Sequence, residues 1–134
     1  MPPFEELDHT ADWAFRVRAD SRTELFIEAA EALYKMGGVQ GAGVPEREKT
    51  VRLQADDLEG LFILWLNELL FLVEHDHLAL RDIQIQRLSG AELQASGRAV
   101  EVIAVGKYIK AATYSGLRIA EVNGEWQAEV VLDV

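Results

Sequence analysis

The stretch Leu117-Arg118-Ile119-Ala120-Glu121-Val122-Asn123-Gly124-Glu125-Trp126-Gln127-Ala128-Glu129-Val130-Val131-Leu132-Asp133-Val134 closes the chain. At its centre stands Asn123-Gly124 between two alternating runs. A type I′ turn needs positive φ at both central residues, and Asn-Gly meets that need at the least steric cost. The reading is therefore an antiparallel hairpin. On its return strand Trp126, Ala128, Val130 and Leu132 share the inward face. Gln127, Glu129, Val131 and Asp133 fall by parity on the other.

Working back from this hairpin, Leu93 to Val105 holds one or two strands, and Tyr108 to Tyr114 holds another. Ile83 and Ile85 alternate with Gln84 and Gln86 ahead of a Ser89-Gly90 turn. The first half of the chain has a different rhythm. Trp13, Phe15, Val17 and Ala19 alternate with Ala14, Arg16 and Arg18, the period of a half-buried strand. Ser21-Arg22-Thr23-Glu24 then reads as a capping box. Leu25, Phe26, Ala29, Ala30 and Leu33 follow at helical spacing. Gly37-Gly38 ends that helix by permitting a left-handed C-terminal cap. Val39 to Glu48, with Gly or Pro at three of ten positions, reads as a loop that is mobile or shapes a partner surface.

Thr50 to Ala55 alternates again, and Asp56 or Asp57 caps a second helix from Leu58 to about Glu74. That helix is apolar almost all round, but Asn67 and Glu68 interrupt it. Its uninterrupted apolar length falls short of the roughly 20 residues a bilayer requires. A core helix is the better reading. The order strand, helix, strand, helix, then several strands predicts an α+β fold. Two helices would pack on one face of a largely antiparallel or mixed sheet, as a single two-layer domain spanning residues 1–134.

Composition narrows the function. At 134 residues, 49% of them hydrophobic, the chain is large enough for one core. It contains no cysteine, which excludes disulfides, thiolate metal sites and cysteine nucleophiles. The 23 acids against 13 Lys plus Arg give a formal charge of −10. Such a chain is a poor candidate for strong nucleic-acid binding on its own, because affinity there comes from neutralising phosphates. It suits cation binding or docking on a basic protein. The N-terminal residues lack a basic region and an apolar core, so neither a signal peptide nor a membrane partner is expected, and the location is expected to be cytoplasmic.

Three places carry candidate chemistry. Asp8-His9-Thr10-Ala11-Asp12 packs two carboxylates and an imidazole into five residues. One reading is a turn whose carboxylates accept backbone amides. The other is a hard-cation site, since two carboxylates about 4 Å apart repel by roughly 4 kcal/mol at an effective dielectric of 20. A cluster that also included Asp133 would need a cation or a raised pKa. Oxygen donors suit Ca²⁺, Mg²⁺ or Mn²⁺. If Val134 is the natural end, its carboxylate and main-chain oxygens add to the set. Glu74-His75-Asp76-His77 looks metal-like, but His75 and His77 would point to different faces of a helix and stand where last-turn carbonyls need partners. Lys110 shares strand parity with Tyr108, Ala112 and Tyr114, so it is either a solubilising lysine or part of a functional face. Val105-Gly106-Lys107 lacks the remaining glycines of a phosphate loop. No catalytic triad can be assembled, and Ser115 with His9 is not a credible pair.

Four segments in order resemble the archease family: Asp8-His9-Thr10-Ala11-Asp12 before a strand, Trp65-Leu66-Asn67-Glu68-Leu69-Leu70, Ile109-Lys110-Ala111-Ala112-Thr113-Tyr114, and Val131-Leu132-Asp133-Val134. The resemblance implies a non-enzymatic activator of an RtcB-type RNA ligase. That ligase joins 2′,3′-cyclic-phosphate or 3′-phosphate RNA ends to a 5′-hydroxyl in tRNA splicing, using GTP and a divalent metal. The activator promotes guanylylation of the ligase and its repeated turnover. By the same resemblance the metal ligands are Asp12, Asp133 and an oxygen of Val134, with Ca²⁺ the first expectation and Mg²⁺ or Mn²⁺ alternatives. Asp8 and His9 support the site, and Lys110 matches a lysine linked to activity. Some relatives carry His where this chain has Ser115, so Ser115 is assigned no role. The histidines at 75 and 77 have no counterpart. The alternative is a chaperone-like modulator of a tRNA methyltransferase or another RNA-processing enzyme.

Overall fold

A computed structural model describes residues 3–8, 13–44 and 47–134, with only the backbone at Asp8. The first strand, β1 (Phe4–Asp8), pairs antiparallel with β2 (Trp13–Ala19). Helix α1 (Arg22–Gly37) follows, with the Glu24 amide donating to Ser21 Oγ at 3.1 Å and Gly38 closing it at φ 59°. A two-residue strand, β3 (Gln40–Gly41), and then β4 (Arg47–Gln54) lead into helix α2 (Leu58–Phe71). Of the two candidate caps it is Asp57 that serves, accepting from the Gly60 amide at 2.8 Å.

The helical path continues to Asp76 as a π-helical turn, Leu72–Asp76, ended by His77 at φ 56°. This widened turn keeps Leu72 and Val73 buried. Strands β5 (Leu78–Leu88), β6 (Glu92–Ala104), β7 (Ala111–Val122) and β8 (Glu125–Asp133) complete the chain. The β7–β8 turn has φ 54° at Asn123 and 81° at Gly124, as a type I′ hairpin requires.

The fold is α+β with two helices and antiparallel strands, as expected, but the strands divide into two sheets. The first has the order β1-β2-β8-β7. In the second, β6 is central, with β4 and β5 beside it and β3 at its far end. Helix α1 packs on β1, β2 and β8 and also touches β5, while α2 packs on β7 and touches β4. Contact with both sheets explains why α2 is apolar almost all round.

One continuous cluster of buried side chains unites these layers, including Phe15, Val130 and Leu132 from the first sheet and Leu80, Leu93 and Ala95 from the second. Between the helices, Phe26 and Phe62 meet edge to face at 5.1 Å. Trp65 Nε1 donates to the Phe26 carbonyl at 2.9 Å, so its polar atom is satisfied inside the core. No described helix is long and apolar enough to cross a membrane.

Of the two alternatives for Leu93 to Val105 the single strand is found, as the 13-residue β6. β4 and β5 begin earlier than read, at Arg47 and Leu78, and β7 begins later, at Ala111. β7 runs unbroken through Ser115-Gly116, which the sequence reading left as a gap. Thr113 pairs with Val131 and Arg118 with Glu129, so residues 114–117 bulge opposite Val130 alone. Gly116 sits in this bulge at φ 70°. On the outer face of the first sheet, Glu5, Arg16, Glu129 and Arg118 form one cross-strand row of alternating charge. Within it Arg16 reaches Glu5 at 2.9 Å and Glu129 at 3.0 Å.

Candidate functional site

The register of the first sheet brings the chain's two acidic ends together. Asp8 pairs with Trp13, and Trp13 pairs with Leu132, the residue before Asp133. The segment His9 to Asp12 therefore joins two paired residues at the end of the sheet where β8 finishes. His9 and Asp12 themselves, and the side chain of Asp8, lie outside the described residues. Asp133 and Val134 are both exposed. Outward parity for Asp133 agrees with the alternation read from the sequence.

Lys110 arrives at the same end from a different direction. Its main-chain N–H donates to the Asp133 carbonyl at 2.8 Å, and Ala111 pairs with Asp133. Its side chain is exposed, while neighbouring Ile109 is buried and anchors the segment. Lys107 extends over the Trp13 ring, 5.5 Å from its centre. This segment is strapped to the end of α1: the Gly106 and Lys107 amides both donate to the Gly37 carbonyl at 2.9 Å. The approach needs glycine, because a Cβ on Gly38 would lie 3.1 Å from the Gly106 Cα.

Asn67 secures β7 beside this end. Its Oδ1 accepts from the Ala112 N–H at 2.8 Å, and its Nδ2 donates to the Ala112 carbonyl at 3.2 Å. The side-chain amide thus acts as a one-residue strand partner, only two residues from Lys110. In the sequence Asn67 registers as an interruption of an apolar helix. A polar residue at a core-facing position was the signal that could have identified this role. Lys107 carried no comparable signal.

This end offers one carboxylate among the described residues, that of exposed Asp133, beside main-chain oxygens. Among the described residues, no three His, Asp or Glu side chains converge as a metal site, and this includes His75 and His77. His75 stacks on Phe71 at 4.7 Å, with its Nδ1 2.9 Å from Asp76 Oδ1. His77 supplies the left-handed residue that ends the π turn. Ser115 is exposed in the β7 bulge.

A small α+β protein with a carboxylate-bearing end and no assembled catalytic constellation among its described residues is the class defined so far. Residues 4–134 match the model of the Archease protein family (MTH1598/TM1083), and the chain belongs to this family. It is 34% identical to a protein archease of Methanopyrus kandleri, over 98% of this chain and 99% of the relative. It is also 34% identical to that of Archaeoglobus fulgidus, over 96% of each. Its fold matches the solution structure of Methanobacterium thermoautotrophicum protein 1598 with a TM-score of 0.71 and 26% identity, covering all of both chains. A crystal structure of a Thermotoga maritima archease, described as a possible chaperone, matches with a TM-score of 0.70 at 24% identity, over 97% of this chain and 96% of that one.

Proposed function

We propose that this chain is a non-catalytic activator of an RtcB-type RNA ligase, promoting its GTP-dependent guanylylation and multiple turnover in tRNA splicing. The observation that carries the reading is the exposed Asp133, set in register one residue beyond the Leu132–Trp13 pair and beside Lys110. On this reading Asp12, Asp133 and a main-chain or terminal oxygen of Val134 hold a divalent cation, Ca²⁺ first and Mg²⁺ or Mn²⁺ otherwise. Such an ion, when bound, supplies charge that offsets phosphate oxygens. Asp8 and His9 support that end, and the exposed Lys110 ammonium meets an anionic group of the partner. Membership of the family and the acidic balance of the chain support docking on a basic, phosphate-handling enzyme.

The test is multiple-turnover RNA ligation with the ligase supplied by a partner preparation. Asp12→Ala and Asp133→Ala are expected to lose at least tenfold in stimulation, and Lys110→Ala to lose part of it. Stimulation at the wild-type level by either aspartate variant overturns the proposed site.

The description of the Thermotoga relative as a possible chaperone favours a second reading, in which the chain modulates a tRNA methyltransferase or another RNA-processing enzyme by apolar docking. Exposed Leu64 and Phe71, seven residues apart on α2, are the surface it would use. That reading expects activity insensitive to chelators and lost on Phe71→Asp.

A further inference from the structure

The outer face of the second sheet carries an excess of arginine on this acidic chain. Cross-strand pairing arranges it in rows. Arg52, Gln94 and Arg87 form the first, Thr50, Ser96 and Gln84 the second, and Glu48, Arg98 and Arg81 the third. Four arginines thus face two glutamates, Glu48 and Glu92, on a chain whose formal charge is −10. Arg81 and Arg98 are directly opposed, an arrangement that costs stability when left to itself. Arg87 meets Glu92 at 3.4 Å, and Arg81 donates to the Gly41 carbonyl at 3.1 Å. Among the described residues Arg52 and Arg98 have no ion-pair partner. A shallow groove of about 440 Å³ opens between Arg52, Gln54, Arg87, Glu92 and Gln94.

We infer that this face binds the sugar–phosphate backbone of duplex RNA. A planar guanidinium fork suits phosphate oxygens. The two arginine rows stand four residues apart along β6, about 13 Å at strand rise, so they can meet phosphates on separate stretches of backbone. Gln84, Gln94, Thr50 and Ser96 lie between and beside them and offer both donors and acceptors for 2′-hydroxyls. Outward positions of these rows carry no aromatic side chain. Single-stranded RNA is typically held by stacking its bases on aromatics, whereas duplex RNA is held through phosphate and 2′-hydroxyl contacts. A protein partner fits less well, because these rows offer no aromatic side chain of the kind that anchors interface cores. Acids elsewhere on the chain keep the affinity modest, so binding is a low-salt phenomenon for the isolated protein.

The inference is independent of the ligase reading, and its test contains no ligase. Fluorescence anisotropy is measured with the full chain and a labelled RNA hairpin, beside single-stranded RNA, duplex DNA and a polyglutamate peptide. Hairpin RNA is expected to bind best. Arg52→Glu with Arg87→Glu should weaken it at least tenfold and lower the salt slope by about 2. Arg118→Glu, the same charge reversal on the first sheet, should leave most of the binding intact. Should the reversed pair fold poorly by thermal melting, Arg52→Gln with Arg87→Gln reads the same loss without the added acids. Binding that none of these second-sheet variants weakens more than Arg118→Glu overturns the inference. Equal or tighter binding of single strand, DNA or peptide also overturns it.

Discussion

The two sheets spend their arginines in opposite ways. On the first, Arg16 lies between Glu5 and Glu129, and Glu129 lies between Arg16 and Arg118, so each charge has an opposite neighbour across the strand. The hydrogen bond to Glu129 is the largest cause holding the Arg16 guanidinium above its ordinary range, against desolvation, which acts the other way. On the second, Arg98 stands between Glu48 and a like charge, Arg81, and Arg52 is separated from Arg87 by Gln94, with Glu92 meeting Arg87 alone among the described residues. Cross-strand pairs of opposite charge contribute to a sheet, and like pairs detract from it. The first face is therefore arranged for the fold, whereas the second retains charge for something outside it.

Each side of this contrast can be tested by substitution. The largest effect is expected where a helix is tied to the first sheet: Asn67→Ala leaves the Ala112 N–H and carbonyl without their partner and should cost about 2–3 kcal/mol in urea unfolding. Next, Arg16→Ala strands two glutamates on a partly buried row and should cost about 1–2 kcal/mol, more than an isolated surface pair contributes. By contrast, Arg98→Gln on the second sheet should change stability by less than about 0.5 kcal/mol, or raise it slightly by relieving Arg81. Equal losses for Arg16→Ala and Arg98→Gln would dissolve the distinction between the two faces.

The smallest effect lies away from both sheets. Desolvation first, and then Glu31, raises the Glu28 carboxyl above its ordinary value on α1. Its neutral form is favoured in the folded state, so this group destabilises the fold once pH rises through its folded pKa. Glu28→Gln should therefore raise Tm slightly at pH 7. The difference should vanish below about pH 4, where both states are protonated. A gain that persists at acid pH would assign the effect to packing instead of charge.

Local chemistry was legible in the sequence, whereas long-range pairing was not. The Gly38 terminator and the Asn123-Gly124 turn each depend on a few adjacent residues and are found as read, and of the capping box the Ser21 half is found. Strand β1 was missed because Phe4-Glu5-Glu6-Leu7-Asp8 is short and does not alternate; its place comes from β2 beside it. Tyr108 to Tyr114 and Leu117 to Val122 read as separate runs, yet the bulge absorbs Ser115-Gly116 without ending the strand. The division into two sheets depends on which strands meet, and nothing within a single strand encodes that. The candidate site divides along the same line. Asp133, Val134 and Lys110 stood out from their own segments, but the positions of Asn67 and Lys107 are set by contacts 45 and 94 residues away in the chain.

The bond between Lys110 and Asp133 runs through main-chain atoms alone. Position 110 and position 133 are thus held in place by their backbones whatever side chains they carry, provided neither is proline. Architecture and chemistry are separable at this end of the molecule. An ammonium or carboxylate can be exchanged there while the strand end that presents it stays intact. Charge-swapped pairs such as Lys110→Asp with Asp133→Lys then offer a route to redesigning which surface this end recognises, on an unaltered scaffold.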